Sequence, residues 1–160
     1  MSPQAQTVWD VIEFRTPAIL RAVESLSDAE LQWQPPNGAN SIGWLLWHIP
    51  EVEDNWVRDK LLKLPKRYPF GASVKARGET AWPPKGALIS YFHEVRALSR
   101  ERLGGTREDE FDRLIADELF GSITVRQVWS GVATSCAWHG GQIILIANRL
   151  LPSKRVHDRA

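Results

Sequence analysis

Apolar residues in the last third of the chain repeat at helical spacing, and this pattern restricts the fold more than any other feature of the sequence. Thr124 and Gln127 make a predicted capping box at its start, and Pro152 ends it. The stripe between them comprises Val125, Val128, Trp129, Val132, Ala133, Cys136, His139, Ile143, Ile146, Ala147 and Leu150. A helix with so broad an apolar face must bury that face against other helices, so the stripe predicts an all-α bundle.

Three further stretches show the same periodicity. The first runs from Pro3 to Leu26, where Pro17 is expected to kink or divide the helix. The second runs from Asn40 or Ser41 to about Leu64, and the third from Pro84 to Leu103. Between the first two, Ser27 with Glu30 predicts a capped short turn of helix. The sequence therefore predicts a four-helix bundle with one long crossover between helices two and three.

That crossover, Pro65–Pro84, is rich in Pro, Gly, Lys and Arg and has no periodicity. A connection of this length inside a compact domain is usually a functional lid or a mobile segment, so we expect substrate contacts from outside the bundle here. The stretch Thr106–Gly121 gives no firm assignment. We expect residues 1–152 to form a single domain and residues 153–160 to form a frayed tail.

Composition restricts the classes of function. The chain has 160 residues and a formal charge of +1, with no cluster of Lys or Arg on one helical face, so a nucleic-acid partner is not expected. No run approaches the roughly twenty apolar residues of a membrane span. The single cysteine and the absence of a leader-like start predict a cytoplasmic protein.

Two histidines, His48 and His139, fall on the apolar faces of the second and last helices, about ninety residues apart in sequence. Facing helices are where a bundle builds a metal site. Pro50 predicts a bend within a turn of His48. The alternative is that each is a core histidine satisfied by a backbone carbonyl or a neighbouring acid.

Two segments together resemble a known family. Residues 40–49, Asn-Ser-Ile-Gly-Trp-Leu-Leu-Trp-His-Ile, followed by Glu51, Glu53 and Trp56, are similar to the second helix of the DinB/YfiT-like proteins. Residues 124–129 and the run His-Gly-Gly-Gln-Ile at 139–143 are similar to their last helix. The resemblance implies an up-down-down-up four-helix bundle that forms a homodimer. It also implies a divalent metal, zinc or nickel, on three side chains, and metal-dependent transfer chemistry on a small-molecule substrate with a low-molecular-weight thiol.

Carried over residue by residue, the resemblance assigns metal ligation to His48 and His139. The third ligand should stand one turn before His139, where this chain has Ser135. A neutral hydroxyl is a much poorer zinc or nickel donor than imidazole or carboxylate. Cys136 is a substitute ligand by its helical position, although a lone cysteine on an apolar stripe also fits a small core residue. Glu51 and Asp54 are further substitutes, and for Glu53 we expect a solvated or outer-shell role.

The pocket around such a centre is expected to include Trp47, Glu51, Trp138 and Gln142. Gly140 and Gly141 are costly in a helix and predict the close approach of another helix. The resulting functional hypothesis is a metal-dependent S-transferase or hydrolase acting between helices two and four. The alternative is a non-catalytic, metal-poor small-molecule-binding or dimeric interaction module in which Ser135 replaces the third ligand.

Overall fold

The computed structural model describes residues 1–76 and 83–155, and within them it confirms the predicted helical bundle. Helix α4 packs against α5 and α6, and α6 also packs against α1 and α2, which together occupy the first position of the bundle. The elements are α1 Pro3–Glu13, α2 Thr16–Glu24, α3 Asp28–Gln32, α4 Ile42–Asn55, α5 Lys85–Gly104, β1 Leu114–Asp117, β2 Gly121–Thr124, α6 Val125–Leu145 and α7 Pro152–Arg155.

The first predicted helix is divided into α1 and α2. The break falls at residues 14–15, just before Pro17, which occupies the first turn of α2. Proline is tolerated there because the amide it lacks has no partner within the helix in any case. The C-terminal end of α2 is tied to α5, since Lys85 Nζ donates to the carbonyls of Glu24 and Leu26 at 2.9 and 2.6 Å.

Two of the long helices change their winding near their C-terminal ends. Helix α4 is followed by a π-helical turn, Trp56–Leu62, which ends at Lys63 in the left-handed region with a φ of 58°. Helix α6 is followed by another, Ile146–Leu150. The sequence predicted one continuous helix in each case, because apolar periodicity over a single turn does not separate the two windings.

The stretch that gave no firm assignment contains a short antiparallel hairpin, which the helical bundle carries in addition to its helices. Strands β1 and β2 pair with Ile115 opposite Ile123, and both side chains are buried. Gly121 turns the chain with a φ of 77°, a conformation that favours glycine. The hairpin covers the end of the bundle core and leads directly into α6.

The first part of the crossover lies against α4. Arg67 Nε is 3.0 Å from Asp54 Oδ2, which also accepts a hydrogen bond from Tyr91 at 3.1 Å. Phe70 packs edge-on against Trp47 and Tyr91, with ring centroids 6.3 and 5.8 Å apart. These contacts fix residues 65–76 to the bundle. The remainder of the predicted lid includes residues 77–82, which lie outside the described residues.

The predicted tail begins with a short helix instead of a frayed end. In α7, Ser153 Oγ donates to Glu30 at 2.8 Å, which joins this helix to the capping box of α3. The capping box formed by Ser27 and Glu30 is present as predicted. Residues 156–160 of the predicted tail lie outside the described residues.

Candidate active site between α4 and α6

The two histidines meet between α4 and α6. Ser41 caps α4 by accepting the Trp44 amide at 3.1 Å, and Thr124 with Gln127 forms the predicted capping box of α6. The ring centroids of His48 and His139 are 5.1 Å apart, with an angle of 82° between the planes. Both side chains are partly buried. The fold therefore joins two imidazoles from distant parts of the chain in one place.

Trp44 forms the aromatic wall of this site. Its ring stacks on His48 with centroids 4.3 Å apart and 19° between the planes, and it meets His139 edge-on at 6.3 Å. Its indole Nε1 donates to the backbone carbonyl of Ser73 at 2.8 Å. The sequence did not single out Trp44 for this place, although its position four residues before His48 puts both on one helical face.

The two tryptophans expected at the pocket rim differ in their exposure. Trp138 is 69% exposed, so most of its side chain lies in solvent, and its place at a pocket rim stays a prediction. Trp47 is buried, packs against Phe70 of the crossover and is a neighbour of Glu51. A residue next to a site residue along a helix points about 100° away from it, so adjacency in sequence alone does not place a side chain at the site.

Ser73, from the crossover, links Glu51 to His48. Its hydroxyl lies 2.8 Å from His48 Nδ1 and donates to Glu51 Oε1 at 2.8 Å. Its amide lies 3.1 and 3.0 Å from the two Glu51 carboxylate oxygens. Glu51 was expected in the pocket, and it reaches His48 through this serine. Ser73 itself was missed, because it lies in a segment without periodicity.

Burial changes the pKa of two groups at the site in opposite directions. It raises the pKa of Glu51, against the effect of hydrogen bonds from Ser73 and Trp47. It lowers the pKa of His139, while the nearby amide of Gln142, the remaining predicted pocket residue, acts in the opposite direction. The neutral form of the His139 imidazole is therefore favoured, and neutral imidazole is the form that binds metals.

The ring geometry fits two ligands of one cation. Two imidazole nitrogens bound to a tetrahedral cation at roughly 2.1 Å hold their ring centres about 5 Å apart, close to the observed separation. In addition, Nδ1 of His139 is buried and has no hydrogen-bond partner within residues 1–76 and 83–155. These observations support a site for two nitrogen donors.

Within the described ranges, no third strong donor accompanies them. Among the described residues, no group of three His, Cys, Asp or Glu side chains is arranged to hold a metal ion. Ser135 lies one turn before His139 in α6, as its place in the sequence requires. The described part of the site thus offers two imidazoles and one weak hydroxyl donor, fewer strong ligands than an ordinary catalytic zinc site.

Cys136 takes part in a different cluster, so its prediction as a substitute ligand is not carried further. Its Sγ accepts from Arg96 at 3.0 Å, and Arg96 also lies 3.3 Å from Glu53 Oε2. Ser99 donates to the other Glu53 oxygen at 2.6 Å. All four side chains are buried, which corrects the expectation of a solvated Glu53. Asp54, another possible substitute, is held by Arg67 and Tyr91.

The helical fold, with two histidines facing each other between α4 and α6, defines a class of protein. The family model of the DinB superfamily matches residues 12–143, and the chain belongs to that superfamily. It is also similar to a solved structure titled as a conserved protein from Enterococcus faecalis. That likeness has a TM-score of 0.72 and 17% identity, and covers 93% of this chain and 97% of the other.

At this level of identity the likeness to the solved structure concerns the fold alone. Comparison with curated proteins gives no match. Within the described ranges, none of the helices has the length and apolar character needed to cross a membrane.

Proposed function

We propose that this protein is a DinB-type metal-dependent enzyme that acts on a small molecule, with His48 and His139 as its two strong protein ligands for a divalent cation. The observation that carries the proposal is the 5.1 Å separation of the two rings at a helix–helix contact. Zinc and nickel are the cations that imidazole donors favour in such a setting.

The residues at the site have separable roles. A bound divalent cation would supply Lewis acidity, lowering the pKa of a thiol or water that serves as nucleophile in a transferase or hydrolase reaction. Trp44 restricts the His48 ring by stacking on it and excludes water from one of its faces. Ser135, one turn before His139 in α6, would hydrogen-bond a small molecule bound beside that histidine.

With two strong protein donors, most of the coordination is left to exogenous ligands. A substrate or a low-molecular-weight thiol that binds the cation through its own donor atom would strengthen the binding of the cation to the protein, because the cation then binds the protein and the small molecule together. We therefore expect metal affinity to be modest in the protein alone and to rise when a thiol is present.

Metal binding by matched variants tests this proposal. Untagged protein is stripped with chelator and titrated calorimetrically with Zn²⁺ or Ni²⁺, with and without a simple thiol. Substitution His48→Gln or His139→Gln should reduce the affinity by at least about tenfold, whereas His93→Gln on the exposed surface of α5 should leave it unchanged. Less than about a tenth of an equivalent of bound metal after reconstitution, with or without thiol, would reject the metal-dependent enzyme.

The alternative function is a metal-poor module that binds a small molecule or a second copy of the chain without catalysis. The absence of a three-ligand group among the described residues favours it. Substitution Ser135→His separates the two functions. A gain of orders of magnitude in zinc affinity over a native protein that binds almost none would support the alternative, and native binding already in the micromolar range would support the enzyme.

A further inference from the structure

Ser73 offers hydrogen-bonding groups in several directions, and all of them are used. Its side chain is fully buried, and the residue contacts Trp44, His48 and Glu51 of α4 through its carbonyl oxygen, hydroxyl and amide. A single residue of the crossover thus ties three functional side chains of one helix together. The directions of the two hydroxyl hydrogen bonds then depend on the ionisation of Glu51.

The carboxylate end of this chain of contacts determines the direction of the hydrogen bonds. Both oxygens of Glu51 lie within 3.1 Å of the Ser73 amide, and Oε1 also accepts from the Ser73 hydroxyl. We take Glu51 as the ionised carboxylate, which has no hydrogen to donate and accepts from Ser73, although burial raises the pKa of this group. The Ser73 hydroxyl hydrogen is therefore directed at Glu51.

The remaining contact must then run from the histidine to the serine. A hydroxyl has one hydrogen, so Ser73 Oγ, 2.8 Å from His48 Nδ1, can only accept from that nitrogen. The hydrogen of the neutral imidazole consequently lies on Nδ1 and its lone pair lies on Nε2. In metal sites a carboxylate hydrogen-bonded directly to the imidazole orients the ligand and selects its tautomer, and here a serine stands between the two groups.

We propose that Ser73 is a positioning residue that transmits the orientation of Glu51 to His48, holding the imidazole as the Nδ1–H tautomer with Nε2 as its donor nitrogen. The tautomer follows from the hydrogen-bond geometry with Glu51 ionised. Its consequence for cation binding rests on the proposed function. Because Ser73 belongs to the crossover, the donor state of a bundle histidine is set from outside the bundle.

The tautomer is measured directly by nitrogen NMR. Two-bond proton–nitrogen spectra of ¹⁵N-histidine-labelled, metal-free protein near pH 8 distinguish the two neutral tautomers, and His48→Gln identifies the His48 signals. We expect the Nδ1–H pattern in the native protein. Substitution Ser73→Ala should shift His48 toward the Nε2–H pattern. An Nε2–H pattern in the native protein overturns the proposal, whether or not the variant folds.

Ser99→Ala is the matched control. Ser99 is also fully buried and also donates to a buried glutamate, Glu53, but in the cluster around Arg96. Ser99→Ala should lower the stability of the protein by about as much as Ser73→Ala does, and it should leave the His48 tautomer unchanged. Equal changes of tautomer in Ser73→Ala and Ser99→Ala would reveal a general structural effect and overturn the positioning role, as would an unchanged tautomer in Ser73→Ala.

Metal affinity separates this inference from the proposed function. If the native protein binds Zn²⁺, Ser73→Ala should weaken binding by about tenfold to a hundredfold and Ser99→Ala should not. Native affinity in Ser73→Ala would overturn the effect on the cation. If the tautomer depends on Ser73 but none of the proteins binds metal, the metal-dependent enzyme is rejected and the positioning role is supported.

Discussion

Gly140 lies so close to Ile19 that a Cβ atom at this glycine would come within 2.5 Å of the isoleucine Cδ1 and 2.9 Å of its Cγ1. This contact lies where α2 packs against α6, one residue after His139. At the next residue, Gly141, a Cβ atom would meet no atom of the described residues within 4 Å. Two adjacent glycines therefore differ in role, and the predicted close approach of another helix applies to the first.

The two alanine substitutions should change stability in opposite directions. Gly140→Ala forces Ile19 out of its place and should lower the free energy of unfolding by about 1–3 kcal/mol. Gly141→Ala should raise it by up to about 1 kcal/mol, since alanine favours the helix and meets no neighbour among the described residues. Chemical denaturation of both variants checks this. A loss of stability in Gly141→Ala would mean that a contact beyond this chain needs the glycine.

The buried ion pair between Arg96 and Glu53 should be costly to break. Glu53→Ala leaves a guanidinium in the core without its charge partner, and we expect a loss of about 3–5 kcal/mol in urea denaturation. Asp112→Ala removes the partner of Arg126 in an exposed pair and should change stability by less than about 0.5 kcal/mol. Similar losses in the two variants would contradict the assigned roles of these pairs.

Cys136 should be unreactive in the folded protein. Burial raises the pKa of its thiol, although the neighbouring Arg96 acts in the opposite direction, and the side chain is only 2% exposed. A chromogenic disulfide reagent at pH 8 should therefore label it slowly in buffer and completely in denaturant. Rapid stoichiometric labelling of folded protein would show that the thiol is accessible.

Acid should destabilise the metal-free protein partly through His139. Burial lowers the pKa of this imidazole below its ordinary value of 6.5, so the unfolded chain takes up the proton more readily. The stabilising contribution is present above about pH 6.5 and is lost as the pH falls through the folded-state pKa. Relative to His139→Gln, the native protein should lose stability between about pH 7 and 5.

The comparison with His139→Gln is needed because Glu51 and Glu53 act in the opposite direction. Burial raises the pKa of both carboxyls, which favours the folded state at lower pH. Denaturation curves are recorded in chelator so that no cation contributes. Parallel pH profiles for the native protein and the variant would contradict the role assigned to His139.

Periodicity and capping chemistry predicted the helices well, because both act over a few neighbouring residues. The Thr124–Gln127 box begins α6 where expected, and α5 begins and ends within one residue of its prediction. The β1–β2 hairpin was not predicted, because each of its strands has only four residues. So short an alternation is easily lost beside longer helical patterns.

The candidate site was predictable in its histidines and not in what surrounds them. His48 and His139 lie on apolar stripes, which the fold must bring together. Ser73 reaches His48 across 25 residues of sequence through a segment whose path depends on Arg67 and Phe70. Contacts of this kind come from tertiary packing, and the local sequence pattern does not predict them.

Because Ser73 belongs to the crossover and His48 to the helical bundle, the sequences of these two parts can change independently in evolution. Changes in residues 65–76 that move the Ser73 hydroxyl by a fraction of an ångström would change the orientation of the His48 imidazole while every helix stays in place. Proteins sharing these helices but differing in that connection would then differ in the reactivity of the same histidine. The orientation of His48 can therefore change in evolution without any change in the helices.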